Sequence, residues 1–329
     1  MAKTRIGILS FAHMHTYSWA GVLQNLPDVD FVGGYDPDSE RGKSATAEFG
    51  TTYYPTVEAL LAEKLDGVFI GSENIHHRGL VEKAAAAGVR AILCEKPIAT
   101  TEEDGQAMID ACAAAGAFLA IAFPCRFSPA FVEVKKLVES GGLGEIIAIR
   151  GTNRGRNPGG WFIDKALSGG GAVIDHTVHV ADLNRVLLGK EAVEVHAEID
   201  NGFYHEGFDD TGFLTISYDG DAFATIDTSW SRPANYPTWG DVTLQIMGSG
   251  GVADVDLFAQ SVTHFDGANN AVGWPGWGSN LDKLMVLDFL RACRGEAPEA
   301  IATGIDGLRA LEVALAAYRS AEVKQPVKV

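Results

Sequence analysis

Long apolar runs are missing from the 329 residues, and none approaches the roughly 20 consecutive apolar positions of a membrane helix. The first residues carry only a short apolar stretch, 6–9, too brief for a secretory signal. Cysteine is scarce: Cys94, Cys112, Cys125 and Cys293 form no CxxC pair and no zinc-type spacing with histidine, so a disulfide framework and a zinc module are excluded. Basic residues are outnumbered, 26 Lys and Arg against 43 Asp and Glu, for a net charge of −17. That acidity argues against nucleic acid and anionic membrane as partners. Together these absences lead us to expect a cytoplasmic protein with reduced thiols. What remains is an ordinary globular balance, 47% hydrophobic and 21% charged. The chain is long enough for two domains.

The first third alternates short apolar strands with helical stretches, the pattern of a doubly wound parallel sheet. Strands are expected at 5–9, 31–35, 67–71, 89–94 and 118–122, and helices at 15–26, 41–49, 57–65, 80–87 and 102–115. Gly88 suits a left-handed position after its helix, and Thr101 with the acids that follow it suits a helix start. Beyond Pro124 the texture changes. Helices are expected at 129–139, 281–293 and 308–321, with another from the Gly169-Gly170-Gly171 run to Leu188. Segments 193–199, 212–218, 222–230 and 242–247 alternate with period two, as half-buried antiparallel strands do. Residues 265–279 read as one long irregular loop. The expected organisation is an α/β Rossmann domain over 1–123 and an α+β domain with an open antiparallel sheet over 124–329, which would bind substrate and mediate oligomerisation.

The first strand-to-helix turn is where a dinucleotide fold places its glycines, yet it reads Ser10-Phe11-Ala12-His13-Met14-His15. Ser10 and Ala12 are small enough for a tight turn. Asp36 closes the second strand 26 residues after Ser10, where an acid bonds the adenine ribose and repels a 2′-phosphate, favouring NAD over NADP. Asp36-Pro37-Asp38 is equally a common turn. Glu95-Lys96-Pro97 follows a strand at the ligand edge of such a sheet, and its proline allows a cis peptide. Asp175 and His179, four apart after the glycine run, share one helix face. This suits a histidine base with a carboxylate beside it. It also suits a metal with His176 added, or merely a helix start with an early acid. With no convincing third ligand, no metal is expected.

The chain resembles the Gfo/Idh/MocA oxidoreductases over nearly its whole length. The resemblance rests on Tyr35-Asp36-Pro37-Asp38, Gly71-Ser72-Glu73-Asn74-Ile75-His76-His77, Glu95-Lys96-Pro97, Arg126-Phe127-Ser128-Pro129, Gly141-Gly142-Leu143-Gly144-Glu145-Ile146 and the Asp175–His179 segment. Gly248-Ser249-Gly250-Gly251 and Gly307-Leu308-Arg309-Ala310-Leu311-Glu312 complete it. It implies NAD(P)-dependent hydride transfer to or from a sugar, cyclitol or related polyol. By position Lys96, Asp175 and His179 match the family's catalytic lysine, aspartate and histidine, and His77 matches a histidine near the nicotinamide. Ser10, Phe11, Ala12, His13, Asp36, Ser72, His77, Glu95 and Lys96 form the expected cofactor-facing set. Arg126, Trp161 and His176 are expected near substrate, with Trp239, Trp274 and Trp277 as further aromatic faces. Three departures mark this chain: the glycine fingerprint is degraded, Glu73 replaces a usual proline, and His76 doubles His77. Two other outcomes share the scaffold, an elimination that retains its NAD and a non-catalytic ligand sensor. A homodimer or homotetramer through the C-terminal sheet is expected, since Phe213, Thr215, Phe223 and Thr225 would line its outer face.

Overall fold

A computed structural model describes residues 2–236, 238–260, 263–273 and 278–329. Trp274 and Trp277 therefore lie outside the described residues. The chain divides into two compact units. The first comprises Met1–Pro124, Ala166–Gly169 and Asp282–Leu311; the second comprises Cys125–Lys165, Gly170–Leu281 and Glu312–Val329. Chain from beyond residue 124 thus belongs to the first unit.

The first unit is built on strands β1 (Thr4–Leu9), β2 (Val29–Tyr35), β3 (Thr52–Tyr54), β4 (Gly67–Ile70), β5 (Ala91–Cys94) and β6 (Phe118–Ile121). They lie parallel in the spatial order β6-β5-β4-β1-β2-β3. The continuous apolar runs of β4 and β5 are buried throughout, as strands covered on both faces must be. Helices α1 (His15–Gln24), α2 (Ser39–Glu48), α3 (Val57–Leu61), α4 (His77–Ala86) and α5 (Glu102–Ala115) supply the crossovers. Strand order reverses between β1 and β4, which makes their carboxyl ends the ligand crevice of a doubly wound sheet. The start of α1 sits close over that point because Gly71 has no side chain; a Cβ there would fall 2.0 Å from Thr16. Behind it, Trp19 of α1 packs edge-on against Phe69 of β4 with ring centroids 5.6 Å apart, each burial contributing about 2–3 kcal/mol. Thr101 caps α5 through the backbone N–H of Asp104, and Gly88 adopts φ +80°, as their sequence positions imply.

The second unit carries a seven-stranded sheet in the order β12-β11-β7-β10-β9-β8-β16. Its strands are β7 (Ile146–Gly155), β8 (Ala192–Asp200), β9 (Thr211–Tyr218), β10 (Phe223–Asp227), β11 (Gly240–Gly248), β12 (Gly251–Asp256) and β16 (Val327–Lys328). The sheet is mostly but not wholly antiparallel, because β7 and β10 run parallel. A parallel pair needs a long crossover, and the chain between them contains the short α7 (Lys165–Ser168), the long α8 (Ala172–Leu188) and β8–β9. α6 (Pro129–Glu139) starts on its proline, the favoured first helical position. β13 (His264–Asp266) and β14 (Ala271–Gly273) form a hairpin inside the stretch that the sequence reads as irregular. α9 (Leu281–Cys293), β15 (Ala302–Thr303) and α10 (Gly304–Val323) close the chain before β16. β15 pairs antiparallel with β6, adding a seventh strand to the first sheet. α8 packs on β7, β9 and β10, with Gly151 of β7 leaving room for Val180.

Candidate active site

The degraded glycine turn keeps its shape by other means. Ser10 takes φ +73°, the left-handed conformation for which a glycine would be the ordinary choice. Its hydroxyl accepts from the Ala12 backbone N–H at 3.2 Å and donates to Asp36 at 3.2 Å. The Phe11 N–H donates to the same Asp36 oxygen at 2.6 Å, while the Phe11 ring fills the space that Gly34 leaves open. Asp36 is buried and receives two further donors from Arg41, Nε at 2.9 Å and Nη2 at 2.8 Å, besides the Asp38 N–H at 2.8 Å. Five donors fill the four or so acceptor sites of a carboxylate. In this structure Asp36 therefore holds the turn. Beside it opens a cavity of about 310 Å³ lined by Ser10, Tyr35, Pro37, Ser72, Glu73, Ile75, His76 and Lys83, among others. Its place between the ends of β1, β2 and β4 fits the adenosine half of a dinucleotide.

Glu95, Lys96 and Pro97 follow β5 at the same edge, and the Lys96–Pro97 peptide is cis. All three are buried. His77 anchors this segment: its Nδ1 donates to the Pro97 carbonyl at 3.0 Å, with the Ile98 carbonyl at 3.3 Å. Burial pulls the His77 pKa below its ordinary value, so a neutral ring makes these bonds. The histidine expected beside the nicotinamide thus acts first on the backbone that carries Lys96. Glu95 is fully buried, and its Oε2 accepts the Lys96 N–H at 2.8 Å. Burial works against its charge, but His13, His15 and Lys96 around it hold the carboxyl well below the usual carboxylate range. His15 lies 2.7 Å from Glu95 through Nδ1; although burial opposes protonation, Glu95 raises the pKa of that ring.

Asp175 and His179 lie on the first turns of α8, both more than nine-tenths buried. Gly171 at the helix start has no side chain to cap it, so the cap comes from elsewhere. Asp209 accepts from the N–H groups of Gly171 at 2.9 Å and Val173 at 2.8 Å, and its own carbonyl accepts from Ala172 at 2.8 Å. A Cβ on Gly171 would fall 2.0 Å from that carbonyl oxygen, so only glycine fits. Trp230 is buried and donates through Nε1 to Asp175 Oδ2 at 3.3 Å, and His176 Nε2 lies 3.3 Å from the same oxygen. Trp230 and Asp209 were not among the residues expected from sequence. Neither carries a motif, because both act across 36 residues or more of chain.

The three residues expected near substrate have defined neighbours. Arg126 closes its fork on the buried Asp182 of α8, at 2.7 and 2.5 Å. Moving it to a ligand would break a nearly buried ion pair, so its first action is to hold α8. Trp161 stacks on Phe162 with centroids 3.9 Å apart. His176 is fully buried, with Trp239 edge-on at 5.2 Å; Trp239 therefore packs a protein ring while part of its face stays exposed.

Comparison with known proteins identifies the family. Residues 5–123 match the oxidoreductase family with an NAD-binding Rossmann fold, and residues 131–254 match the Gfo/Idh/MocA C-terminal domain. The class is thus an NAD-binding oxidoreductase. An inositol 2-dehydrogenase of Rhizobium meliloti (strain 1021) is 30% identical over 290 residues, 83% of this chain and 84% of its own. The NAD(+)-dependent scyllo-inositol 2-dehydrogenase of Bacillus subtilis (strain 168) is 25% identical over 99% of this chain and 96% of its own. The crystal structure of GenD2 from gentamicin A biosynthesis, in complex with NAD, superposes with a TM-score of 0.89 at 25% identity, covering 100% of this chain and 97% of that one. The chain belongs to the Gfo/Idh/MocA family. Among the described residues, no helix is long and apolar enough to cross a membrane.

Proposed function

We propose that this oxidoreductase transfers a hydride between NAD and a secondary carbinol of a sugar, cyclitol or related polyol. The observation that supports the reading is that Asp175 and His179 are both buried one turn apart on α8, whose start is fixed by Asp209 and whose Asp175 is held by Trp230. A base must be held still to be efficient, and here the holding groups are themselves buried. In the oxidation direction His179 takes the hydroxyl proton and Asp175 stabilises the imidazolium. Lys96, on the segment tied down by His77 and Glu95, donates a hydrogen bond to the alkoxide as it forms. The nicotinamide, when bound, accepts the hydride. Residues lining the cavity beside Ser10 and Asp36 would hold the adenosine half. The polyol substrates named for the inositol dehydrogenase relatives support the substrate class.

The test is NADH formation from NAD+ across a panel of inositols and aldoses. With the best substrate, His179→Asn and Lys96→Met should each lower kcat about 10²–10⁴-fold while NAD affinity stays within a few fold. Turnover within threefold of the parent in both variants would overturn the assignment.

We also propose self-association through the outer face of the second sheet, where Phe213 and Phe223 stand exposed. Light scattering that returned a monomer at micromolar concentration would defeat it. The four buried cysteines form no disulfide, which supports placement in a reducing compartment such as the cytoplasm.

A further inference from the structure

Asp36 ends the second strand, where the adenine ribose of a dinucleotide lies, but five donors already fill its carboxylate. Nor is it among the described residues that line the adjacent cavity, although Tyr35 and Pro37 on either side of it are. One carboxylate does line that cavity: Glu73, on the turn after β4. Its side chain is 14% exposed, and its Oε2 is buried with no hydrogen-bond partner. The other oxygen lies 3.7 Å from Nη2 of Arg41, whose guanidinium is given over to Asp36 at 2.8 and 2.9 Å. A buried carboxylate oxygen without a donor is costly to keep. Beside a cavity, such an atom finds its donor in the molecule that fills the space.

The shape of the turn does not explain the residue. Glu73 sits at φ −59° and ψ 146°, a conformation that proline would hold. Its carbonyl accepts from the His76 N–H at 3.0 Å and the Ser72 hydroxyl at 3.1 Å, which any residue could do. The backbone thus has no need of a carboxylate at this position. A ribose supplies vicinal hydroxyls, two donors for a carboxylate. A 2′-phosphate supplies acceptors and negative charge, which a carboxylate repels. The nearby cations do not reverse this: Arg41 lies between Asp36 and Glu73, and Lys83 bonds Glu58 at 2.9 Å. We propose that Glu73, rather than Asp36, binds the adenine ribose hydroxyls and sets the preference for NAD over NADP. Asp36 acts behind it, holding the Ser10 turn and the Arg41 that faces Glu73. The inference concerns the choice of cofactor and is independent of the polyol.

The test is calorimetric titration of the full-length protein, freed of bound cofactor, with NAD+ and with NADP+. The parent should bind NAD+ more tightly than NADP+. Glu73→Ala should weaken NAD+ about tenfold or more, the loss of a hydrogen bond to a charged group, and leave NADP+ unchanged or tighter. The preference should therefore narrow at least fivefold. Glu73→Gln, which keeps an acceptor but loses the charge, should bind NAD+ with an affinity between the two. Glu40→Gln, an exposed acid of α2 outside the cavity, should keep the parent's ratio. Melting temperatures establish that each variant is folded. A parent with no preference for NAD+, or a folded Glu73→Ala protein whose preference narrows less than fivefold, would overturn the assignment. Equal weakening of both cofactors, the mark of a disturbed turn, falls under the second of these. A narrowed preference in a protein that transfers hydride to no polyol would support this inference and remove the proposed function.

Discussion

Tyr318 donates its hydroxyl to Asp209, 3.0 Å from Oδ1 and 3.2 Å from Oδ2, and lies 3.3 Å from the N–H groups of Gly171 and Ile174. The start of α8 is thus capped by a carboxylate and steadied by a phenol, neither of which belongs to the helix. Burial and the Asp209 charge push the Tyr318 pKa well above its ordinary value, so the phenol stays a donor. Asp209→Ala should destabilise the protein by about 2–4 kcal/mol, since it orphans two N–H donors and the Tyr318 hydroxyl. Tyr318→Phe, which removes only the hydroxyl, should cost about 1 kcal/mol. Urea unfolding measures both; equal costs would mean the carboxylate is not the principal cap.

Asp36 invites a second experiment. Asp36→Ala removes the acceptor for Phe11, Ser10, Asp38 and Arg41 together. NAD should bind at least tenfold more weakly, measured by calorimetry, because the left-handed Ser10 turn loses its anchor. Unchanged NAD affinity in a folded Asp36→Ala protein would show that the turn does not bear on the cofactor.

Acid should act through Asp241. Burial raises the pKa of this carboxyl, but hydrogen bonds from Arg232, Thr152 and Arg154 outweigh it and hold the group below its ordinary value. A depressed carboxyl stabilises the folded state above the unfolded pKa of about 3.9, and that stability is lost as pH falls through the lower folded value. The stability of the parent protein should therefore drop below about pH 4 more steeply than that of Asp241→Asn. Parallel acid limbs in thermal melts would refute the assignment.

Thiol chemistry gives a check on folding. All four cysteines are buried, and burial pushes the Cys112 thiol up to about 11. Ellman's reagent should find almost no reactive thiol in native protein at pH 8 and four in denaturant. Rapid labelling of one or more in the native state would place them at the surface.

Local signals in the sequence proved reliable where the physics is local. The proline start of α6, the Thr101 cap and the buried runs of β4 and β5 all read directly from neighbouring residues. β7 did not. Its buried positions alternate with Arg150, Thr152 and Arg154, and Thr152 and Arg154 pair with a hydroxyl and acids of neighbouring strands rather than advertising a core strand. β3, three residues long, is too short for any period to show. At the candidate site, the Glu95-Lys96-Pro97 and Asp175–His179 motifs were visible because each is contiguous or one helical turn apart. The partners that hold them were not. Arg41 on Asp36, Asp209 on α8 and His15 on Glu95 meet only after folding.

Ala302–Thr303, paired along β6, closes an edge that would otherwise present the free N–H and C=O groups of a buried strand. A gene fragment ending at residue 124 would encode the dinucleotide motifs and still lack this strip, and with it α9, whose Phe289 packs on Phe69. Recombination that grafts this Rossmann unit onto another partner must therefore carry two separated stretches of code. Inheritance of the cofactor-binding half is tied to that of the C-terminal region.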